Sequence, residues 1–189
     1  MESQKTNKIV SFVGGHTGEW KVAEVVPIIG STLTTPNYLS IHKDALAPEK
    51  EQVSDWVLKG FASNLRYTTR EEKNVLDVNP SVLGKIENQF AVMIPIKKKE
   101  TWWAMTQDER RKILEENSSH IEIGSKYLTS INRQLYHSRD LGEVFDFITW
   151  FEFSEENKSK FDELLAALRK TEEWSYVERE VEVRLVKAV

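Results

Sequence analysis

The sequence predicts an α+β fold whose second half runs β-α-β-β-α-β, the ferredoxin-like order, which lays two helices on one face of an antiparallel sheet. Three observations carry that prediction. The apolar runs FAVMIPIK (90–97) and FDFITWFEF (145–153) read as strands. Between them, Thr106 and Glu109 fit the S/T-x-x-E capping box, in which hydroxyl and carboxylate satisfy two backbone donors that a helix start leaves free. Near the C-terminus, Phe161, Leu164, Leu165 and Leu168 form one helical stripe, and Val181, Val183 and Leu185 then alternate with Glu180, Glu182 and Arg184 as in a half-buried strand.

Taken in order, residues 8–13 (KIVSFV) form a first strand stopped by Gly14 and Gly15. Residues 20–29 are apolar without a clear period, so helix and strand both stay open. Residues 34–49 hold two prolines and few periodic apolar positions, and read as an irregular excursion. Residues 55–67 alternate as a strand, and 68–84, with Asn79-Pro80, are a short helix or a connection. After the strand at 90–97, a helix starts near Gln107. Past Asn117, Ile121, Gly124, Tyr127 or Leu128, and Ile131 keep a helical spacing that brings His120 onto or near the same inward face. From Asn132 the period changes to that of a hairpin, RQLYHSR and FDFITWFEF joined by the turn signal DLGE. Ser154 opens the next helix. Residues 1–84 look like a degenerate copy of the unit formed by 85–189, the two making one compact body.

Composition narrows the chemistry. The 189 residues suffice for a core without disulfide or structural metal. A net charge of −4 with interspersed signs offers no basic face for nucleic acid. The absence of cysteine excludes disulfides, iron–sulfur clusters, thiolate-ligated haem and covalent c-type haem. The start MESQKTNKIV has no apolar core after its charges, and no run nears the roughly 18 apolar residues of a membrane span, so the expectation is a cytoplasmic protein.

From the residues alone, His120 reads first as an ordinary buried histidine bonded to a carbonyl and only second as a ligand, and Arg133, opening the hairpin, reads first as a surface arginine. Glu173 stands near a helix C-terminus, where the dipole disfavours an acid, with Glu172 as its alternative. His16 and His42 lie in polar, turn-rich surroundings and read as solvated; His137 lies within the hairpin.

The succession WW, MTQDERR, SSHI, INRQLYHSRDLGE, FDF, TWFE and RKTEEWSYVEREVEVRL resembles the chlorite dismutases, in particular the short-chain, dimeric branch of that haem b family. The likeness is continuous from about Phe90 to the C-terminus, with weaker patches at FVGG (12–15) and LKGFASNLRY (58–67). The resemblance implies a dimeric α+β barrel of two ferredoxin-like units, haem b as cofactor, chlorite as the anionic substrate, and chloride and dioxygen as products. It places the proximal iron ligand at His120, the carboxylate holding the ring's second nitrogen at Glu173, and the distal catalytic arginine at Arg133. Tyr67, Lys98 and Trp102 match positions beside the propionates and the proximal side, and Leu135, Thr149 and Phe151 wall the distal pocket. His137 matches no ligand position. One departure is that the glutamine some short-chain relatives set against the distal arginine has no counterpart in DVNPSVLG (77–84). The alternatives are a coproheme decarboxylase, in which a glutamine typically stands where this chain has Arg133, and a non-enzymatic haem carrier or sensor.

Overall fold

The computed structural model describes residues 9–43, 54–62, 68–78 and 81–188. Eight strands form it: β1 (Ile9–Gly15), β2 (Trp20–Ile29), β3 (Tyr38–Lys43), β4 (Ser54–Ala62), β5 (Phe90–Lys98), β6 (Asn132–His137), β7 (Phe147–Phe153) and β8 (Val177–Lys187). They pair antiparallel in the order β1-β3-β2-β8-β5-β7-β6-β4, and β4 returns to β1 to close a barrel. Closure removes the sheet edges that would otherwise expose unpaired backbone. The first four strands and the last four share one spatial order, 4-1-3-2 in their own sequence numbering. The helices are α1 (Arg70–Val78), α2 (Glu100–Trp103), α3 (Gln107–Arg111), α4 (His120–Ser125) and α5 (Lys158–Leu168).

The core has two layers, separated by the period-2 alternation of the strands. Inside the barrel, Phe12 lies edge-on to Tyr136 at 5.1 Å and tilted against Trp150 at 5.8 Å, and Trp20 meets Trp150 at 5.5 Å. Met93, Ile148, Val181 and Val183 fill the space around them. Outside, Val92, Ile94, Phe151 and Phe153 lie beneath the stripe expected on α5. Phe161 stacks on Phe153 at 4.7 Å and meets Phe151 edge-on at 5.2 Å. Burying one such ring contributes roughly 2–3 kcal/mol.

The structure corrects several expectations. Residues 34–49 are not wholly irregular, because Tyr38–Lys43 form β3, paired with β1 along all six residues. Only Leu39 of that strand is fully buried, so it shows no clean alternation. Residues 20–29 are the strand β2. The strand expected over 55–67 spans Ser54–Ala62, and positions 63–67, Tyr67 among them, lie outside the described residues. Ser154 precedes a 3₁₀ turn (Glu155–Asn157) before α5 starts. Glu180 and Glu182 are not solvated: they are 0% and 2% exposed beneath Arg169 and Arg184.

The largest correction precedes His120. The expected continuous helix begins as predicted, with Thr106 and Glu109 closing the capping box, but α3 gives way to a π-helical turn at Lys112–Asn117. Ser119 then adopts a left-handed φ of 49°, which a residue with a Cβ enters only at a cost. The helix restarts at His120 because Glu115 reaches across the break. Its carboxylate accepts the backbone N–H groups of Ile121 (2.8 Å) and Glu122 (3.3 Å), two of the donors a helix start leaves free. A helix-spaced apolar pattern thus conceals a kink that re-aims one histidine.

Candidate active site

His120 opens α4 with its side chain 24% exposed, and its Nδ1 stands 2.5 Å from Glu173 Oε2. Glu173 lies not at a helix C-terminus but in the first turn of a 3₁₀ helix (Glu172–Tyr176) that follows α5, where an acid is tolerated. Its other oxygen, Oε1, accepts from Lys98 Nζ at 2.7 Å, and its backbone N–H donates to Ser118 Oγ at 3.0 Å. Glu172 faces elsewhere, accepting from Asn117 Nδ2 at 2.9 Å. Burial alone would raise the Glu173 carboxyl, but the neighbouring His120 and Lys98 outweigh it and hold the pKa at about 2. An ionised Glu173 fixes the proton of His120 on Nδ1 and leaves Nε2 as the nitrogen with a lone pair to give.

Lys98 is itself buried, its Nζ 4.7 Å from the centre of the Trp102 ring and 5.6 Å from that of Trp174. Its backbone is fixed by Asp146, whose Oδ2 accepts from Lys98 N (2.7 Å) and Trp103 Nε1 (3.1 Å), while Oδ1 accepts from Arg139 Nη1 (3.2 Å). The structure therefore brings His120, Glu173, Lys98 and Trp102 into one connected cluster.

Arg133, Leu135, Thr149 and Phe151 form a second group. In the β6–β7 ladder Arg133 faces Phe151 and Leu135 faces Thr149, so all four occupy one face of the sheet, the face that α5 covers through Phe161. The Arg133 side chain reaches α4. A Cβ built on Gly124 would lie 3.1 Å from its Nη1, so the glycine one turn after His120 makes room for the guanidinium. Among the described residues that guanidinium has neither a hydrogen-bond acceptor nor a carboxylate partner, and partial burial lowers its pKa from the usual arginine value. Its backbone is held by Ser81, whose Oγ accepts from Arg133 N at 2.6 Å, within the very segment that lacks the glutamine.

Several residues of this arrangement were given no role from the sequence, Gly124, Asp146, Ser118 and Glu115 among them. Asp146 was legible as the lone acid in the apolar run FDFITW, and Gly124 as a glycine inside a helical pattern. Ser118 and Glu115 gave no signal beyond their neighbourhood to His120. His137, buried between Phe61 and Phe147, belongs to neither group; His16 is exposed, and His42 is part-buried with Ser40 Oγ 2.9 Å from its Nε2.

The sequence profile of the family described as Chlorite dismutase matches residues 28–188. The chain belongs to the chlorite dismutase family. It is 32% identical over 123 residues to the chlorite dismutase of Ideonella dechloratans, an alignment covering 63% of this chain and 40% of that protein. The chain thus spans less than half the length of that relative. Among solved structures, a dimeric chlorite dismutase of Nitrobacter winogradskyi superposes with a TM-score of 0.86 at 47% identity, covering 95% of this chain and 99% of the other. A mutant chlorite dismutase of Candidatus Nitrospira defluvii in complex with cyanide superposes at 0.69 with 19% identity, covering 98% and 92%, a likeness of fold.

The donor set fits haem. Among the described residues no group of three or more histidine, aspartate or glutamate side chains could cage a bare metal ion. One histidine, locked through Nδ1 onto an ionised glutamate, instead suits an iron whose other donors would come from a macrocycle rather than from the protein.

Proposed function

We propose that this protein is a haem b chlorite dismutase, converting chlorite to chloride and dioxygen as a homodimer. The observation that carries the reading is the Arg133 guanidinium, half-buried and without an anionic partner among the described residues, set against the helix that begins at His120. A cation held partly out of water without its counter-charge is destabilised, and a small anion relieves that cost. Haem, when bound, supplies the redox-active iron at which the O–Cl bond breaks and dioxygen forms.

The chain's own residues do the rest. His120 Nε2 holds the iron, and Glu173, kept ionised by Lys98, makes the ring a stronger donor. Arg133 draws chlorite in and holds the departing oxychlorine fragment by charge-assisted hydrogen bonds. Leu135, Thr149 and Phe151, on the same sheet face, exclude water and so strengthen that interaction. Trp102 and Lys98, with Tyr67, attend the cofactor's carboxylates and its proximal side. The dimeric Nitrobacter winogradskyi structure, matched along 99% of its length, supports the homodimer.

Oxygen-electrode recording after chlorite is added to haem-loaded protein tests the reading. Rapid dioxygen release that Arg133→Ala suppresses is the expected result. Haem-loaded protein that releases none contradicts it and favours a carrier or sensor; decarboxylation of coproheme in the presence of peroxide would favour the remaining alternative.

A further inference from the structure

The two buried glutamates of β8 have no part in the scheme above, yet one of them is bonded to the residue next to Glu173. Glu180 is fully buried. Its Oε1 accepts from Arg169 Nε (3.0 Å) and Nη2 (2.6 Å), and its Oε2 accepts from Trp174 Nε1 (2.7 Å). Glu182 Oε2 shares Arg169 Nη2 at 2.8 Å, and its Oε1 accepts from Arg184, whose Nη2 reaches Asp162 at 2.8 Å. The network thus has two ends. One runs out through Arg184 to an exposed aspartate on α5, and the other ends in the Trp174 indole.

That indole is the adjacent side chain on the 3₁₀ turn that presents Glu173 to His120. The turn is only five residues long, too short for its own hydrogen bonds to define its orientation. Its anchors are external: Ser118 Oγ on the Glu173 N–H, Lys98 on the Glu173 carboxylate, Asn117 on Glu172, Lys99 on the carbonyls of Ser175 and Tyr176, and Glu180 on Trp174, the one that holds the side chain next to Glu173. Lys98 and Glu180 also belong to one strand pair, β5 and β8, with Ile96 opposite Glu180 and Lys98 opposite Val177. A single rigid platform therefore holds Glu173 from two sides. Burying two carboxylates beneath a partly exposed arginine gains little stability over an apolar core, whereas it holds geometry tightly.

We propose that Glu180 is a positioning residue, acting through Trp174 to keep Glu173 Oε2 on His120 Nδ1 and so to set the donor strength of the nitrogen that faces the cofactor. The inference rests on the reading of His120 as the iron ligand. Trp174→Phe removes the indole donor and keeps a ring; Glu180→Gln, nearly isosteric, is the second variant if the first does not fold. Each is compared with Glu173→Gln and with Arg184→Met, which breaks the far end of the network without touching Trp174.

The readouts are the ferric/ferrous midpoint potential of the haem-loaded protein and the iron–histidine stretching frequency of its ferrous form. The expected result is a rise in potential and a fall in stretching frequency for Trp174→Phe and Glu180→Gln. Both shifts follow the direction set by Glu173→Gln and are smaller, while Arg184→Met lowers Tm alone. Trp174→Phe and Glu180→Gln variants that lose Tm but keep the wild-type potential and frequency would overturn the inference and leave the network purely structural. If Glu173→Gln itself shifts neither quantity, the reading of the His120–Glu173 pair fails, and this inference with it.

Discussion

The two cations of the site are treated in opposite ways. Lys98 is buried and Arg133 half-buried, but Lys98 is paired with Glu173 at 2.7 Å and covered by two indoles, whereas Arg133 meets a glycine and no anion among the described residues. A fold that can surround one buried cation with every compensation has left the other without. The compensated cation serves a geometry that must not move, and the uncompensated one serves a ligand still to come. The contrast extends to the backbone. A π-turn, a left-handed Ser119 and the capping carboxylate of Glu115 all act to aim His120, while Arg133 needs only a regular strand and one hydrogen bond to Ser81.

The contrast breaks first, if it is wrong, in stability. Lys98→Met should cost about 3–5 kcal/mol in denaturant unfolding, because it strands a buried carboxylate. Arg133→Met, which removes a charge that no anion among the described residues compensates, should leave the midpoint unchanged or raise it. An equal loss from both would erase the distinction. Turnover should show the reverse asymmetry: Arg133→Ala lowers kcat/KM for chlorite about 10²- to 10³-fold, or roughly 3–4 kcal/mol, as for a preorganised donor to a developing anion. A third variant sharpens the proximal side. Glu173→Gln keeps the shape of the cluster and should weaken haem affinity about 10- to 100-fold, read by transfer of haem to a scavenging protein.

The smallest effect is a control remote from both cations. Glu72 on α1 pairs bidentately with Arg111 on α3, at 2.5 and 2.9 Å, and the Arg111 hydrogen bond outweighs partial burial to pull its carboxyl below the usual value of 4.5. A depressed folded-state pKa stabilises above the unfolded pKa and loses that stabilisation as pH falls through the folded one. Unfolding of Glu72→Gln followed against pH should therefore differ from wild type by at most about 1 kcal/mol near neutrality, and the difference should vanish in acid. Haem affinity should not change.

What the sequence disclosed follows the same division. Period and caps spoke clearly: the box at Thr106 and Glu109, the stripe of α5 and the strands β5, β7 and β8 are all where pattern places them. A second box, Thr69 and Glu72, starts α1 in the same manner and stood unnoticed in TREE. β3 was hidden because a strand with one fully buried residue leaves no alternation to read. Glu180 and Glu182 imitate a solvated face, since nothing local reveals that Arg169, eleven residues before Glu180, will cover them. The break before His120 was invisible for a different reason, because the apolar spacing on its two sides stays in phase. The site residues themselves came from the likeness to a family; tertiary contacts such as Gly124 against Arg133 lie beyond any local pattern.

The measurement that tests the vacant cation most directly is the affinity of haem-loaded protein for nitrite, a bent oxyanion like chlorite that is not consumed, in wild type and in Arg133→Met, with Tm recorded on the same samples. A nitrite Kd weakened tenfold or more in the variant, at an equal or higher Tm, is the predicted result. An unchanged Kd, or a Tm that falls as it does for Lys98→Met, would show that Arg133 is a structural cation like its counterpart and would contradict the account.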